Sequence, residues 1–160
     1  MPSDQRSSSE TKLAMFWAAA AAQCAGETHL TGNRIVVALF RTGALRELCE
    51  RLQIAPAGVI DAVEDPRALS FEECERRVRE ELAASGLEFA SPAHRASVPL
   101  RPLDPGVKGV FDAVLERHGH LGVSPLELLL DLIRADPVLA QKLARQGLTA
   151  ASIGEALGEP

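Results

Sequence analysis

Two stretches of this chain match each other without a gap, and this internal repeat constrains the fold more than any other feature. Residues 25–41 read AGETHLTGNRIVVALFR, and residues 118–134 read HGHLGVSPLELLLDLIR. The three identical pairs are Gly26 with Gly119, Leu39 with Leu132 and Arg41 with Arg134, and five further positions are apolar in both stretches. One extra residue in the second copy then aligns Ile54 with Leu148, Val59 with Ile153 and Val63 with Leu157. Such self-similarity predicts a chain built from two copies of one unit.

The signals inside each copy are those of helices. Thr31 and Ser124 occupy equivalent cap positions before apolar residues spaced three and four apart. Asp104-Pro105 and Asp136-Pro137 each combine a cap with a proline at the first helical position, where no amide hydrogen is needed. Thr149 is a cap for the last helix. The sequence therefore predicts an all-α fold, a tandem duplication of a four-helix repeat with pseudo-two-fold symmetry.

The predicted units form one compact domain. The polar, Ser-rich residues 1–10 are expected to be a flexible tail, with a capping box from Ser7 to Glu10 before a first helix through 13–24. The segment between the copies is predicted to hold a charged helix from Ser70 to Gly86, followed by an extended, proline-containing connector over 87–103. The boundaries are a tail at 1–10, repeat 1 at 11–65, the helix and connector at 66–103, and repeat 2 at 104–158.

Composition excludes several classes of function. A net charge of −5 is unfavourable for binding a phosphate backbone, and the chain has no Tyr and one Trp for stacking on bases. The longest apolar run, 13–22, is shorter than the ~20 residues that span a membrane, and no basic stretch precedes an apolar run, so we expect no signal peptide. The three cysteines form no close pair, and none of them has a histidine at a spacing typical of a catalytic or zinc site. We therefore expect a cytoplasmic protein that binds no nucleic acid, membrane, metal or cofactor and is not an enzyme.

The duplicated pattern resembles the Clp amino-terminal domain, the double helical repeat at the front of Clp-type AAA+ unfoldases. That family's repeat reads Leu-Gly-His-x-x-Ile-Gly-Thr-Glu-His-Leu-Leu-x-x-Leu-Leu-Arg, and the similarity covers about 8–64 and 100–157. The residues that carry it are Gly26, Leu30, Ile35, Val36, Leu39, Phe40 and Arg41 in the first copy, and His118, Gly119, His120, Val123, Leu128, Leu129, Leu132, Ile133 and Arg134 in the second.

The resemblance implies an all-α domain that catalyses nothing and docks substrates or adaptor proteins for an unfoldase. No ATPase module follows in this sequence, so we expect a free-standing relative, an adaptor or accessory factor of a Clp-type chaperone or protease. Two alternatives stay open. One is a small-ligand or peptide-binding module with a pocket between the repeats, and the other is a structural or oligomerising module of a different assembly. The sequence does not define the oligomeric state.

One departure from the family pattern affects ligand recognition. The Glu of the family's Thr-Glu-His segment helps some members hold phosphorylated arginine, and the positions that match it here are Asn33 and Leu126. A guanidinium is recognised by a carboxylate in bidentate geometry, which neither an amide nor an alkyl group supplies. We therefore expect phosphoarginine recognition to be lost in both copies.

The candidate partner-binding residues are charged. Arg41 and Arg134 recur at equivalent helix ends, where capping of the helix dipole is the simpler interpretation. The charged helix between the repeats is most simply a solvated face with i,i+4 pairs, but as an addition to the repeat plan it is also a candidate docking surface. Phe16 and Trp17 are expected in the core. The full candidate set is Arg34, Arg41, Glu127, Arg134, Glu73, Arg76, Arg77 and Glu80.

Overall fold

The computed structural model describes residues 2–89, 91–98, 102–103, 105–118 and 123–158, with side chains left undescribed at 2–8, 114, 115, 117 and 118. Every regular element in these ranges is a helix, and extended backbone pairs only at an isolated parallel bridge between Leu30 and Leu103. The all-α prediction is therefore confirmed. The helices are α1 (Pro2–Cys24), α2 (Gly32–Arg41), α3 (Arg46–Leu52), α4 (Pro56–Val63), α5 (Phe71–Ser85), α6 (Pro92–Ser97), α7 (Pro105–His118), α8 (Pro125–Ala135), α9 (Pro137–Ala144) and α10 (Ala150–Ala156).

The helices begin where the sequence places caps. The Thr31 hydroxyl accepts a hydrogen bond from the Arg34 amide at 3.4 Å, and Ser124 accepts one from the Glu127 amide at 3.2 Å. The Asp136 carboxylate accepts from the Val138 amide at 3.1 Å, which satisfies a donor that the first helical turn leaves open. The predicted cap at Asp104 and the predicted helix end at Gly119 lie outside the described residues.

The first helix is longer than the sequence pattern indicated. It begins at Pro2, so the segment 1–10 that we expected to be a flexible tail has helical backbone from its second residue onwards. The predicted cap at Ser7 is therefore wrong. No Gly or Pro interrupts 3–24, so a helix nucleated by the apolar stretch can propagate towards the N-terminus at little cost per residue. Its other end agrees with the sequence, because Gly26 has φ +74.

The segment between the two copies is more structured than expected. The charged helix is confirmed as α5, with Ser70 as its cap and Gly86 in the left-handed region at φ +68. The prediction of an extended connector over 87–103 is wrong over part of its length, because it contains α6. Ser91 caps α6 by accepting from the His94 amide at 3.2 Å, and Pro92 occupies its first turn. This is the same cap-and-proline signal that begins α8 and α9.

The core forms where α1, α2 and α8 pack together. α2 contacts α1, α4, α5 and α8, while α8 contacts α7, α9 and α10, and α4 reaches across to α9. α1 contributes buried alanines to this core, among them Ala14 and Ala18. Trp17 is buried in this core, as expected, whereas Phe16 is only half-buried, with its ring against Phe89 and His94. α5 lies against α1 and α2 through its apolar stripe, Phe71, Cys74, Val78 and Leu82.

Candidate functional site

Four of the candidate residues share the solvent-exposed face of α5. Glu73 accepts hydrogen bonds from the guanidinium groups of both Arg76 and Arg77, and Arg76 also bonds Glu80. The spacings of three and four residues place these side chains next to one another along the helix. The hydrogen bonds from Arg76 and Arg77 lower the pKa of the Glu73 carboxyl to about 2. We call Glu73, Arg76, Arg77 and Glu80 the charged face.

Arg41 is connected to α5 through an inter-helix ion pair. Its Nε lies 3.0 Å from Oε2 of Glu75, so the C-terminal turn of α2 is joined to α5. Glu75 also accepts from Arg79 at 3.1 Å, and the Arg79 guanidinium carbon lies 5.5 Å from the centre of the Trp17 ring. These contacts join α2 and α5 to the core at Trp17, through residues of α5 that lie outside the charged face.

Arg34 lies in the interior instead. Only 7% of this residue is exposed, and its Nε and Nη2 bond the two carboxylate oxygens of Glu27 at 2.8 Å and 3.3 Å. Burial disfavours the charged guanidinium, but the hydrogen bond and charge of Glu27 outweigh this and raise the pKa of Arg34 overall. Glu64 lies nearby, and burial raises the pKa of its carboxyl. Arg34 is therefore a buried cation paired with the half-buried carboxylate of Glu27, rather than part of an outer surface.

The remaining two candidates lie on α8. Glu127 is half-buried in its first turn, and Arg134 is exposed in its last turn. These ends suit their charges, because a helix favours anions at its N-terminus and cations at its C-terminus. The predicted residues thus occupy four places. The structure brings Glu73, Arg76, Arg77 and Glu80 together. Arg41 pairs with Glu75, outside that group, Arg34 is buried, and the α8 pair lies on the second half of the chain.

A groove between α1, α5 and α6 was missed in the sequence. It encloses about 690 Å³, and its lining includes Cys24, Arg77, Glu81 and His94. His94 is buried, and this burial lowers the pKa of its imidazole. An aromatic cluster adjoins it, in which the rings of Trp17 and Phe89 stack at 4.1 Å. The signal that could have revealed this groove was Ser91-Pro92, the start of α6.

A second cavity lies between the two halves of the chain. It encloses about 350 Å³ where the N-terminus of α2 meets α7 and the α8–α9 junction. Its apolar lining includes Val107, Val110 and Leu132, and Asn33 adds an amide. Apolar walls with a few polar groups are the usual chemistry of small-ligand pockets. Asn33, at the position of the family's Glu, thus reaches this cavity with an uncharged side chain.

The described ranges contain neither a metal-ligand cluster nor a membrane-spanning helix. No three or more His, Cys, Asp or Glu side chains in them are grouped closely enough to hold a metal ion. None of the helices described there is both long enough and apolar enough to cross a membrane. No model of a known protein family matches the chain, and no curated protein matches it.

Proposed function

We propose that this chain is a double helical repeat of the Clp amino-terminal type that works as a protein–protein interaction module. Its function in this proposal is that of an adaptor or accessory factor, which binds a Clp-type AAA+ unfoldase or its substrates in the cytoplasm. The proposal includes no catalytic activity, so the isolated chain is expected to hydrolyse neither ATP nor peptides.

The observation that supports the proposal is that α1–α4 and α7–α10 follow each other in the same order and make corresponding contacts. α1 packs on α2 as α7 packs on α8, and α2 packs on α4 as α8 packs on α10. The sequence match also has a backbone counterpart. Gln53 and Gly147, which are equivalent once the extra residue is counted, both adopt left-handed backbone, with φ of 54 and 85. A non-glycine residue rarely adopts this conformation, so agreement at one aligned position supports a shared ancestral turn.

The charged face is the proposed docking surface. The side chains of Arg76, Arg77 and Glu80 are exposed and that of Glu73 is half-buried, and the face belongs to the helix that is added between the two repeats. Each charge already has an internal partner, so the face carries little net charge. A protein partner would recognise such a face by the order of its charges, since electrostatic complementarity supplies specificity more than raw affinity.

The test keeps α5 in place and exchanges its charges. Removing 66–86 would uncover the core beneath Phe71 and Cys74, so a deletion would report unfolding rather than binding. The variant Glu73→Arg, Arg76→Glu, Arg77→Glu, Glu80→Arg reverses every sign and retains the internal pairs.

Binding to purified Clp-type unfoldases is then measured by surface plasmon resonance. We expect the wild-type chain to bind and the exchanged variant to bind at least tenfold more weakly. The matched control is Glu47→Arg with Arg51→Glu, an exposed i,i+4 pair of positions on α3, which should leave affinity within twofold of the wild type. If no Clp-type unfoldase or substrate of one binds the wild-type chain, the adaptor proposal fails. If the exchanged variant binds as tightly as the wild-type chain, the charged face is not the docking surface.

The cavity between the halves supports a second candidate, a module that binds a peptide or small molecule. A thermal-shift screen with peptides and metabolites tests it directly. The variant Val110→Trp would fill the cavity, so a true ligand should lose its stabilising effect in this variant while it stabilises the wild type. A ligand that stabilises both proteins equally binds elsewhere.

A further inference from the structure

Two cysteines meet where α5 rests on α1. Cys74 belongs to the apolar stripe of α5 and is fully buried, and its thiol donates to the backbone carbonyl of Ala21 in α1 at 3.5 Å. Cys24 follows Ala21 by three residues, so its side chain lies on the same side of α1, one turn further on. Cys24 is half-buried and lines the groove between α1, α5 and α6. One thiol is therefore sealed under α5 while its neighbour is open to small molecules.

The electrostatics of Cys74 agree with this placement. Burial, followed by the neighbouring Cys24, raises the pKa of the Cys74 thiol to about 11. At neutral pH, Cys74 is therefore protonated and reacts slowly with a dissolved oxidant, because the thiolate is the reactive form, so its role is to attack an oxidised sulfur held beside it. Cys24 is the thiol that an oxidant in the groove reaches first. The third cysteine, Cys49, is buried on α3 and lines a different cavity, beside Phe40 and Leu45.

We propose that Cys24 and Cys74 form a reversible disulfide that locks α5 onto α1 when the protein meets a hydroperoxide. This site is independent of the proposed adaptor function, since it needs only the contact between the two helices. α5, the helix that carries the charged face, would then be either free of a covalent link to α1 or joined to it by the disulfide.

The chemistry balances in two steps. The Cys24 thiolate attacks one oxygen of hydrogen peroxide, the O–O bond breaks, and hydroxide leaves and takes up a proton as water, which gives a sulfenic acid on Cys24. The sulfur of Cys74 then attacks the sulfur of that sulfenic acid. The S–O bond breaks, hydroxide leaves, and the thiol proton of Cys74 converts it to water. Two thiols are oxidised, one peroxide is reduced to two waters, and an external thiol reverses the reaction by exchange.

The link would close the loop from Cys24 to Cys74, which contains α2, α3 and α4. Closing a loop of this size restricts the unfolded chain, so the melting temperature of the oxidised protein should rise by roughly 10 °C. The groove would also lose its free thiol. Reagents that label Cys24 in the reduced protein should no longer do so after oxidation.

The experiment treats the folded full chain with hydrogen peroxide and maps its thiols by mass spectrometry. Trypsin places the three cysteines in separate peptides, residues 13–34, 47–51 and 68–76, so each possible link has its own mass. We expect the protein to lose two hydrogen atoms, with 13–34 joined to 68–76, and dithiothreitol to restore the original mass. Cys49→Ala, the matched control, should give the same link at the same rate.

Two variants separate the roles of the cysteines. Cys24→Ser should leave Cys74 as a free thiol after treatment, because hydrogen peroxide does not reach a buried thiol. Cys74→Ala should accumulate the Cys24 sulfenic acid, which dimedone traps. A link that includes 47–51, a dimer linked between two chains, or further oxidation of Cys24 while Cys74 stays free in the wild-type chain would each overturn the proposal. The wild-type mapping decides the matter even if Cys74→Ala does not fold.

Discussion

The ion pair between buried Arg34 and half-buried Glu27 offers the sharpest test of the structure. Glu27→Gln keeps the shape of the side chain and removes its charge. The guanidinium of Arg34, a residue that is only 7% exposed, then lacks its bidentate carboxylate partner. Breaking a fully buried pair by removing one partner costs about 3–5 kcal/mol. The Glu27 side chain is 29% exposed, so water screens part of the effect. Glu64 also offers Arg34 a second carboxylate nearby. We therefore expect the free energy of unfolding to fall by roughly 2 kcal/mol, or ~4–8 °C in melting temperature.

The magnitude is checked with a double-mutant cycle. Arg34→Met keeps most of the aliphatic stem and removes the charge, and its combination with Glu27→Gln leaves no unpaired charge in the pair. The double variant should be more stable than the sum of the two single changes predicts, with a coupling energy of about 1–2 kcal/mol. Arg41→Gln is the matched control, because the Arg41 side chain is 43% exposed in its pair with Glu75. Its loss should cost under ~1 kcal/mol.

The assay is urea unfolding of each variant, followed by far-ultraviolet circular dichroism. The slope of the transition should stay constant, so that a change in midpoint measures a change in stability. If Glu27→Gln lies within ~0.5 kcal/mol of the wild type, the range of an ordinary surface change, the placement of Arg34 in the interior is refuted. Arg34 would then be available to a partner, as its charge alone first suggested.

The other predictions concern single side chains. Trp17→Ala should cost about 3–5 kcal/mol in urea unfolding, because it empties a buried site and removes the stack on Phe89. Burial lowers the pKa of the His94 imidazole in the folded protein. As the pH falls below about 6.5, His94 therefore takes up a proton in the unfolded chain before it does so in the folded protein, and the free energy of unfolding decreases. His94→Phe should remove that slope in melting curves from pH 7 to 5. The Glu73 carboxyl should titrate near pH 2 by carbon-13 NMR, and its midpoint should rise in Arg76→Ala. Gln53→Gly should stabilise the chain by about 0.5 kcal/mol in the same unfolding assay, since it relieves left-handed backbone at φ 54.

The elements that the sequence predicts well are those fixed by neighbouring residues. The caps at Thr31, Ser124 and Asp136 each involve a side chain and an amide two or three residues away, so the necessary information lies within one turn. The apolar stripe of α5 is equally local, because residues three and four apart share one side of a helix. The error at α6 came from weighing three prolines as breakers, although Pro92 follows Ser91 in the order that begins a helix.

The candidate site was less predictable because it depends on contacts between distant segments. The ion pairs inside α5 follow from spacing, and spacing predicted them. The pairing of Arg34 with Glu27 does not, since the two side chains meet only where the loop after α1 folds back beside α2. The meeting of Cys24 with α5 is equally non-local, and the sequence offered only an odd number of cysteines without a close pair. Which of these side chains are buried, and which residues they contact, is decided only by how the helices pack.

The contacts beneath α5 determine what kind of surface its charged face can be. A run of charges on a peptide would be mobile, and a partner would have to order it at a cost in affinity. Here Arg41 holds Glu75 from α2, Arg79 lies over Trp17 of α1, and Cys74 bonds the α1 backbone. These three contacts fix both the rotation and the position of α5 on the core. A partner would therefore meet side chains on a preorganised helix, and exchanging their signs should change affinity through the contacts themselves rather than through the folding of the helix.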